Sequence, residues 1–228
     1  KQLRSSLLFM PVLLYRFGKA SLDIVGGDPI GKRPFRSQYL GTLRKFGTHI
    51  AKKRGKSIAA SADGFVSCTV TFNAKKPSPG GTKTAMMMAI VAPGKTTILN
   101  ASRLPEVVTL AEFLRKLGAR IRGEGTSIME IRGVKELSGA TFTIPSDRIE
   151  FVTFAAACAA TRGDMRISNA GQILRTIRPE IRMLRKLGVR ISIRGNDVTV
   201  RCANREKGAG MSERVSIRTG PYPAFNTD

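Results

Sequence analysis

Four places in the chain set polar groups on glycine or proline turns, where side chains can do chemistry. The stretch IVGGDPIGKRPFRSQYL (Ile24–Leu40) carries a carboxylate, Asp28, directly after Gly26 and Gly27 and five residues before the Arg33–Pro34 pair. The glycine pair permits backbone angles closed to other residues, so the segment reads as a tight exposed loop. A carboxyl group held there could act in general acid–base catalysis; taken alone, the segment also reads as a plain connection. The second place, KKPSPGGTKTAMMMA (Lys75–Ala89), puts Lys76, Ser78, Gly80 and Gly81 ahead of a helix expected to begin near Thr82. Glycines before a helix leave backbone N–H groups for an anion, the helix dipole favours negative charge, and a lysine adds to it. A Walker A loop is absent, and an ordinary helix start is the competing reading. Arg4, expected to cap the first helix, and TGPYPAFNTD, ending at Asp228, are the remaining two.

Other candidates read as structure. Met86, Met87 and Met88 are expected to fill core, and His49 to be a surface or core residue at a strand start. Cys68, Cys158 and Cys202 lie far apart beside apolar or strand residues, with one histidine in the whole chain. That excludes a zinc site of usual spacing and argues against a disulfide framework. No metal and no cofactor is expected, and a reducing, cytoplasmic setting fits.

A repeat must position these loops. LRKFGTHI (Leu43–Ile50), LRKLGARI (Leu114–Ile121) and LRKLGVRI (Leu184–Ile191) recur about every seventy residues, each with the form of a helix that ends at a glycine and passes into a strand. A second motif, with Gly18, Gly94 and Gly163, ends another helix before a strand. The unit is an α/β subdomain used nearly three times, too long for a thin solenoid. Ser5–Phe17 reads as a buried helix, Ile128–Arg132 as a half-buried strand, and Phe151–Ala160 as the apolar body of a helix capped by Ser146 or Asp147. A boundary falls near residue 145, giving domains 1–145 and 146–228.

Thirty-nine Lys and Arg against sixteen Asp and Glu give a net charge of +23. That attracts nucleic acid, acidic membranes or phosphorylated small molecules without choosing among them. The basic residues are spread along the chain, with AKKRGK (Ala51–Lys56) the one dense run. No RNP-like aromatic pattern, zinc pattern or basic helix is expected, so nucleic acid is not the expected partner. No apolar run approaches membrane-spanning length, and Pro11 interrupts the apolar N-terminal stretch. The sequence opens on Lys1 rather than Met, so it reads as starting within a longer protein.

NASRLPEVVTLAEFLRKLGARIRGEGT, GVKELSGATFTIPSDRIE and RTGPYPAFNTD, with GGDPIGKRP upstream, resemble the branch of the enolpyruvyl transferase family that acts on UDP-N-acetylglucosamine. The shikimate-pathway branch shares the fold and a Gly-Asp…Arg-Pro loop, but its acid lies one residue further from the arginine and it lacks the Asn-Ala…Pro-Glu segment. The resemblance implies two inside-out α/β barrels of repeated units, of which this chain holds most of the first and the beginning of the second. It is then about half of an enzyme and inactive alone; the whole enzyme would be monomeric.

The implied reaction moves enolpyruvate from phosphoenolpyruvate to the 3-hydroxyl of UDP-N-acetylglucosamine, the opening step of peptidoglycan synthesis. Residue by residue, the resemblance places Arg4 at the nucleotide sugar, Arg33, Pro34, Phe35, Arg36 and Ser37 at the uridine part, and Lys76, Pro77, Ser78, Pro79 and Gly80 at the diphosphate. Asp228 falls on the aspartate at the sugar hydroxyl. Asp28 falls where a proton-donating cysteine is usual, so the resemblance also implies insensitivity to fosfomycin, which alkylates that thiol. Arg36 stands where an aspartate is common, and Tyr222 replaces a frequent histidine. A shikimate-pathway transferase and a basic nucleic-acid-binding protein are the alternatives.

Overall fold

A computed structural model of the chain describes residues 4–23, 36–52, 57–202 and 216–225. The chain divides into two compact units, Lys1–Phe142 and Thr143–Asp228. The first opens on a 3-10 turn (Arg4–Leu8) and α1 (Phe9–Phe17), followed by β1 (Lys19–Asp23). A π-helical turn (Arg36–Leu40) leads into α2 (Gly41–Lys45), then β2 (His49–Lys52) and β3 (Ser57–Ser61). Next come β4 (Thr69–Thr71), α3 (Pro79–Ala89), β5 (Lys95–Leu99), α4 (Pro105–Lys116), β6 (Arg120–Arg122) and β7 (Ile128–Arg132). The second unit holds α5 (Arg148–Thr161), β8 (Asp164–Ile167), a 3-10 helix (Gly171–Thr176), α6 (Arg178–Lys186), β9 (Val189–Arg194) and β10 (Asp197–Cys202).

The seventy-residue period becomes one supersecondary unit made three times: helix, strand, helix, strand, strand. In each the last strand lies between the other two and antiparallel to both, giving the orders β1-β3-β2, β5-β7-β6 and β8-β10-β9. The first and second strands of a unit are therefore parallel, joined by a helical crossover around the third. β4 adds a parallel edge strand beside β5.

The repeated glycines explain the chain reversals. Gly47, Gly118 and Gly188 follow α2, α4 and α6 at φ of 87°, 101° and 80°. Gly47 and Thr48 donate to the carbonyls of Arg44 (3.0 Å) and Leu43 (3.3 Å), a Schellman closure; Gly118 and Ala119 repeat it on Arg115 (2.9 Å) and Leu114 (3.0 Å). The second motif departs from the expected pattern in its third copy. Gly18 and Gly94 take positive φ, but after α5 it is Arg162 that turns left-handed (φ 55°), and Gly163 follows to close on the Cys158 carbonyl at 3.0 Å.

Three further expectations are corrected. The expected buried helix Ser5–Phe17 is a 3-10 turn followed by α1 and is not buried all round: Leu7 of the turn and Met10, Pro11 and Leu14 of α1 face inward, while Phe9 is 63% and Phe17 66% exposed. The helix after the Lys76 loop starts at Pro79 rather than near Thr82, because Pro79 fits the first helical position and Ser78 caps it. A basic helix does exist: Arg178, Arg182, Arg185 and Lys186 all lie exposed on one side of α6, while Glu180, Ile181 and Leu184 turn inward. The N-cap of α5 is Asp147, whose carboxylate accepts from Ile149 N at 2.7 Å; Ser146 instead donates to the Asn169 carbonyl at 2.6 Å.

The cores follow the predicted faces. Met86 and Met88 of α3 are fully buried with Ile98, Met129 and Ile131, and β7 alternates as expected, with Ile128, Glu130 and Arg132 outward. In the second unit Phe151, Ala155 and Cys158 form one stripe of α5 against Val198 and Val200 of β10. The Cys158 thiol donates to the Gly163 and Val200 carbonyls, and burial pushes its pKa up. No helix among the described residues is long and apolar enough to cross a membrane.

Candidate functional site at the start of α3

The turn before α3 is built by local polar chemistry. Asn73 Oδ1 accepts from the backbone N–H groups of Lys75 (2.8 Å) and Lys76 (3.2 Å), an Asx turn that leaves both lysine side chains exposed. Ser78, buried and extended (φ −93°, ψ 110°), accepts from Gly81 N at 3.0 Å through its hydroxyl. Thr82 closes the first turn, donating from both N (2.9 Å) and Oγ1 (2.8 Å) to the Ser78 carbonyl. Its hydroxyl also accepts from Ser102 N at 3.0 Å. Asn100, at φ 54°, donates from its amide to the Phe72 carbonyl at 2.9 Å. The segment Asn100–Ser102 is thereby pinned against both ends of the loop.

Gly80 and Gly81 serve packing more than conformational freedom. A Cβ on Gly80 would run into the Tyr39 ring and hydroxyl. One on Gly81 would sit 2.5 Å from Phe72 Cε1 and 2.9 Å from the Gln38 carbonyl oxygen. The two glycines let the π-helical turn Arg36–Leu40 lie directly on the first turn of α3, and the Arg4–Leu8 turn packs against α3 as well.

The charge here is cationic. Lys75 and Lys76 make no ion pair among the described residues, and one turn into α3 stands half-buried Lys83. Burial pushes the Lys83 amine below its ordinary pKa, with the Glu106 carboxylate in the first turn of α4 opposing the shift. The backbone contributes less to anion binding than the sequence suggested. Pro79 has no N–H, and those of Gly81 and Thr82 are already used. An anion would meet lysine side chains and the N-terminal dipole rather than an open nest of amides.

Of the residues singled out in the sequence, Lys76, Pro77, Ser78, Pro79 and Gly80 form this turn. Arg36 and Ser37 begin the π-helical turn that packs on it, and Arg4 is the first residue of the neighbouring 3-10 turn rather than a cap ahead of it. Asp28, Arg33, Pro34, Phe35 and Asp228 lie outside the described residues. Ser78 thus serves as a buried cap, its hydroxyl committed to the helix. Sequence reasoning passed over Tyr39, Asn73, Asn100 and Lys83. The Asn73 turn was legible from an asparagine two residues before a lysine pair; the Tyr39 contact was not, since it spans the chain.

His49 is exposed and, with Lys19, Ser21 and Ser61, lines a shallow pocket of about 500 Å³ on the β1-β3-β2 sheet. Among the described residues no group of three His, Cys, Asp or Glu side chains could hold a metal ion.

A helix–strand–helix–strand–strand unit used three times, with lysines at the helix start of its second copy, defines an α/β fold. The chain belongs to the EPSP synthase (3-phosphoshikimate 1-carboxyvinyltransferase) family, whose model matches residues 1–228. It is 39% identical over 227 residues to a UDP-N-acetylglucosamine 1-carboxyvinyltransferase of Finegoldia magna, covering all of this chain and 52% of the relative. A protein of the same name from Azorhizobium caulinodans is also 39% identical, with 51% of its length covered. The chain therefore spans about half the length of the curated relatives it matches. Among solved structures, the enolpyruvyl transferase NikO from Streptomyces tendae aligns with a TM-score of 0.74 at 26% identity, over 87% of this chain and 47% of that one. An EPSP synthase from Acinetobacter baumannii shares the fold, with a TM-score of 0.62 at 19% identity over 87% of this chain and 46% of that one.

Proposed function

We propose that this chain forms the nucleotide-sugar side of a UDP-N-acetylglucosamine 1-carboxyvinyltransferase. Residues 1–145 would make most of one inside-out α/β barrel and residues 146–228 the start of a second. The observation that carries the reading is the 39% identity to relatives of that name along the entire chain. The lysine-bearing turn Lys76–Gly80, at a helix start that favours anions, supports it as a diphosphate site. The whole protein would act in the cytoplasm as a monomer, supplying cell-wall synthesis in growing and dividing cells, with no cofactor.

The chemistry is an addition followed by an elimination. The sugar 3-hydroxyl adds to the substituted carbon of phosphoenolpyruvate while the methylene carbon takes a proton and becomes a methyl group. Loss of phosphate from the substituted carbon and of a proton from that methyl group then restores the double bond. Asp228 takes the hydroxyl proton and Asp28 supplies the one to carbon. A cysteine thiol is already protonated at neutral pH, whereas a free aspartic acid is not. Asp28 must therefore be held protonated by the bound phosphate's charge and by exclusion of water, against the pull of Arg33.

The test is phosphate release from phosphoenolpyruvate by the whole protein, with UDP-N-acetylglucosamine or 3-phosphoshikimate as acceptor. Turnover with the first and none with the second is expected. The reverse result would assign the shikimate-pathway activity. Asp28→Asn is expected to abolish turnover, and Asp28→Cys to retain it while gaining time-dependent inactivation by fosfomycin. Full activity of the Asn variant removes Asp28 from the mechanism. Lys76→Ala should weaken UDP-N-acetylglucosamine binding about tenfold, the scale of one lost charged contact.

A further inference from the structure

The outward faces of the three repeated sheets carry equivalent cross-strand rows, and one row consists of cations alone. In β5-β7-β6 the register sets Lys95 opposite Arg132 and Arg132 opposite Arg120. Three positive side chains therefore stand side by side on adjacent strands, about 5 Å from one to the next. Met129, Ile131, Ile98 and Ile121 turn into the core, while Lys95, Arg120, Arg122, Glu130 and Arg132 are exposed on the other face. Glu130, in the next row between Thr97 and Arg122, is the single carboxylate on this face and is ion-paired to Lys95. Four cations thus face solvent with one acid among them.

The repeat does not require this. The same row reads Lys19, Ser61, His49 in the first sheet and Asp164, Arg201, Arg190 in the third, where Arg201 has Asp164 as an ion-pair partner at 3.7 Å. Like charges directly opposite one another destabilise a sheet. The Lys95–Glu130 pair offsets part of that cost in the second sheet, as Arg201–Asp164 does in the third, but the second sheet alone has three cations in the row and no acid within it. An external polyanion would relieve the remainder.

We propose that this face binds the phosphodiester backbone of double-stranded nucleic acid without reading its sequence. A duplex presents one negative charge per about 1.7 Å of axis, so a row about 10 Å wide faces several phosphates at once. A duplex suits it better than a single strand. Among the described residues, the outward positions of β4, β5, β7 and β6 hold no aromatic ring on which unpaired bases could stack. An anionic membrane fits less well, because Ile128 is the one large exposed apolar side chain on the face. The excess of basic residues along the chain adds long-range attraction but does not select this surface.

The experiment is fluorescence anisotropy of a labelled 20-base-pair random-sequence duplex, titrated with the full chain across a NaCl series. Replacing Lys95, Arg120 and Arg132 together by Gln should lower the magnitude of the log–log salt slope by about 2.7, or 0.9 per lost phosphate contact. Between 50 and 200 mM salt the unaltered chain should then lose about fortyfold more affinity than the triple variant. The single variant Arg120→Gln, with its fold checked by circular dichroism, should lower the slope by about 0.9. Arg178→Gln/Arg182→Gln/Arg185→Gln removes equal charge from α6 and should change the slope by less than about 1. An unchanged slope in the sheet variants, or an equal fall in the α6 variant, overturns the proposal. Tighter binding to the single strand or to phosphatidylglycerol vesicles than to the duplex overturns it as well.

Discussion

The starts of α3 and α5 occupy the same place in consecutive repeats yet are chemically opposite. At α3 the cap is a neutral, buried serine, the first turn holds two glycines under the Tyr39 and Phe72 rings, and the nearby charges are lysines. At α5 the cap is an exposed aspartate, and Glu150 stands where α3 has Gly81. The positive end of the α5 dipole is thus matched by two carboxylates, while the first turn of α3 holds no acidic residue. One scaffold position is ringed by lysines in one repeat and by carboxylates in the next.

The largest effect that could break this contrast is steric. Gly81→Ala should destabilise the first unit by about 2–3 kcal/mol, since the new methyl group meets the Phe72 ring and the Gln38 carbonyl. Glu150→Ala at the matching position of α5 should stay within about 0.5 kcal/mol. Urea denaturation of both variants checks this, and equal costs would mean that the glycine is not clamped. Capping gives a smaller difference. Ser78→Ala should cost about 2 kcal/mol, because it strands the Gly81 N–H in a buried site. Asp147→Ala, exposed to water, should cost about 1 kcal/mol.

The remaining predictions are directional. Asp197 lies below the usual carboxylate range because Arg166 hydrogen-bonds it and Asn169 N–H donates to it. A depressed acid adds stability above its unfolded pKa and loses it as pH falls through the folded value. Asp197→Asn should therefore flatten the acid-side loss of stability of the second unit below about pH 4, as followed by circular dichroism. Lys83 has the opposite sign, since its charged form is disfavoured on folding. A ¹³C-methylated Lys83 should titrate below the ordinary lysine value of about 10.4, and Glu106→Gln should lower it further. A midpoint unmoved by that substitution would separate Glu106 from Lys83.

Much of the architecture was legible because its signals are local. The three Leu-Arg-Lys-(Phe/Leu)-Gly stretches announce a helix, a left-handed closure and a strand, and all three form. Alternation placed Met129 and Ile131 inward, and Met86 and Met88 did fill core. The misjudged start of α3 has an equally local cause. Two glycines looked like loop, but Pro79 and the Ser78 hydroxyl make them the first turn of a helix. Arg162 was passed over because a glycine stood beside it, yet the arginine takes the left-handed angle and Gly163 makes the closing hydrogen bond. The basic face of α6 exists only around the helix, because along the chain apolar residues and Glu180 separate Arg178, Arg182 and the Arg185–Lys186 pair.

By itself the sequence determined the repeat, the core faces and the lysine-bearing turn, because propensity, periodicity and capping act within a few residues. Tertiary structure alone decided that Tyr39 and Gln38 lie on Gly80 and Gly81, and that Ser102 and Asn100 hold the loop from behind. It also decided that Lys95, Arg132 and Arg120 share one row, since strand register joins residues far apart in the chain and is fixed by the whole sheet and its core.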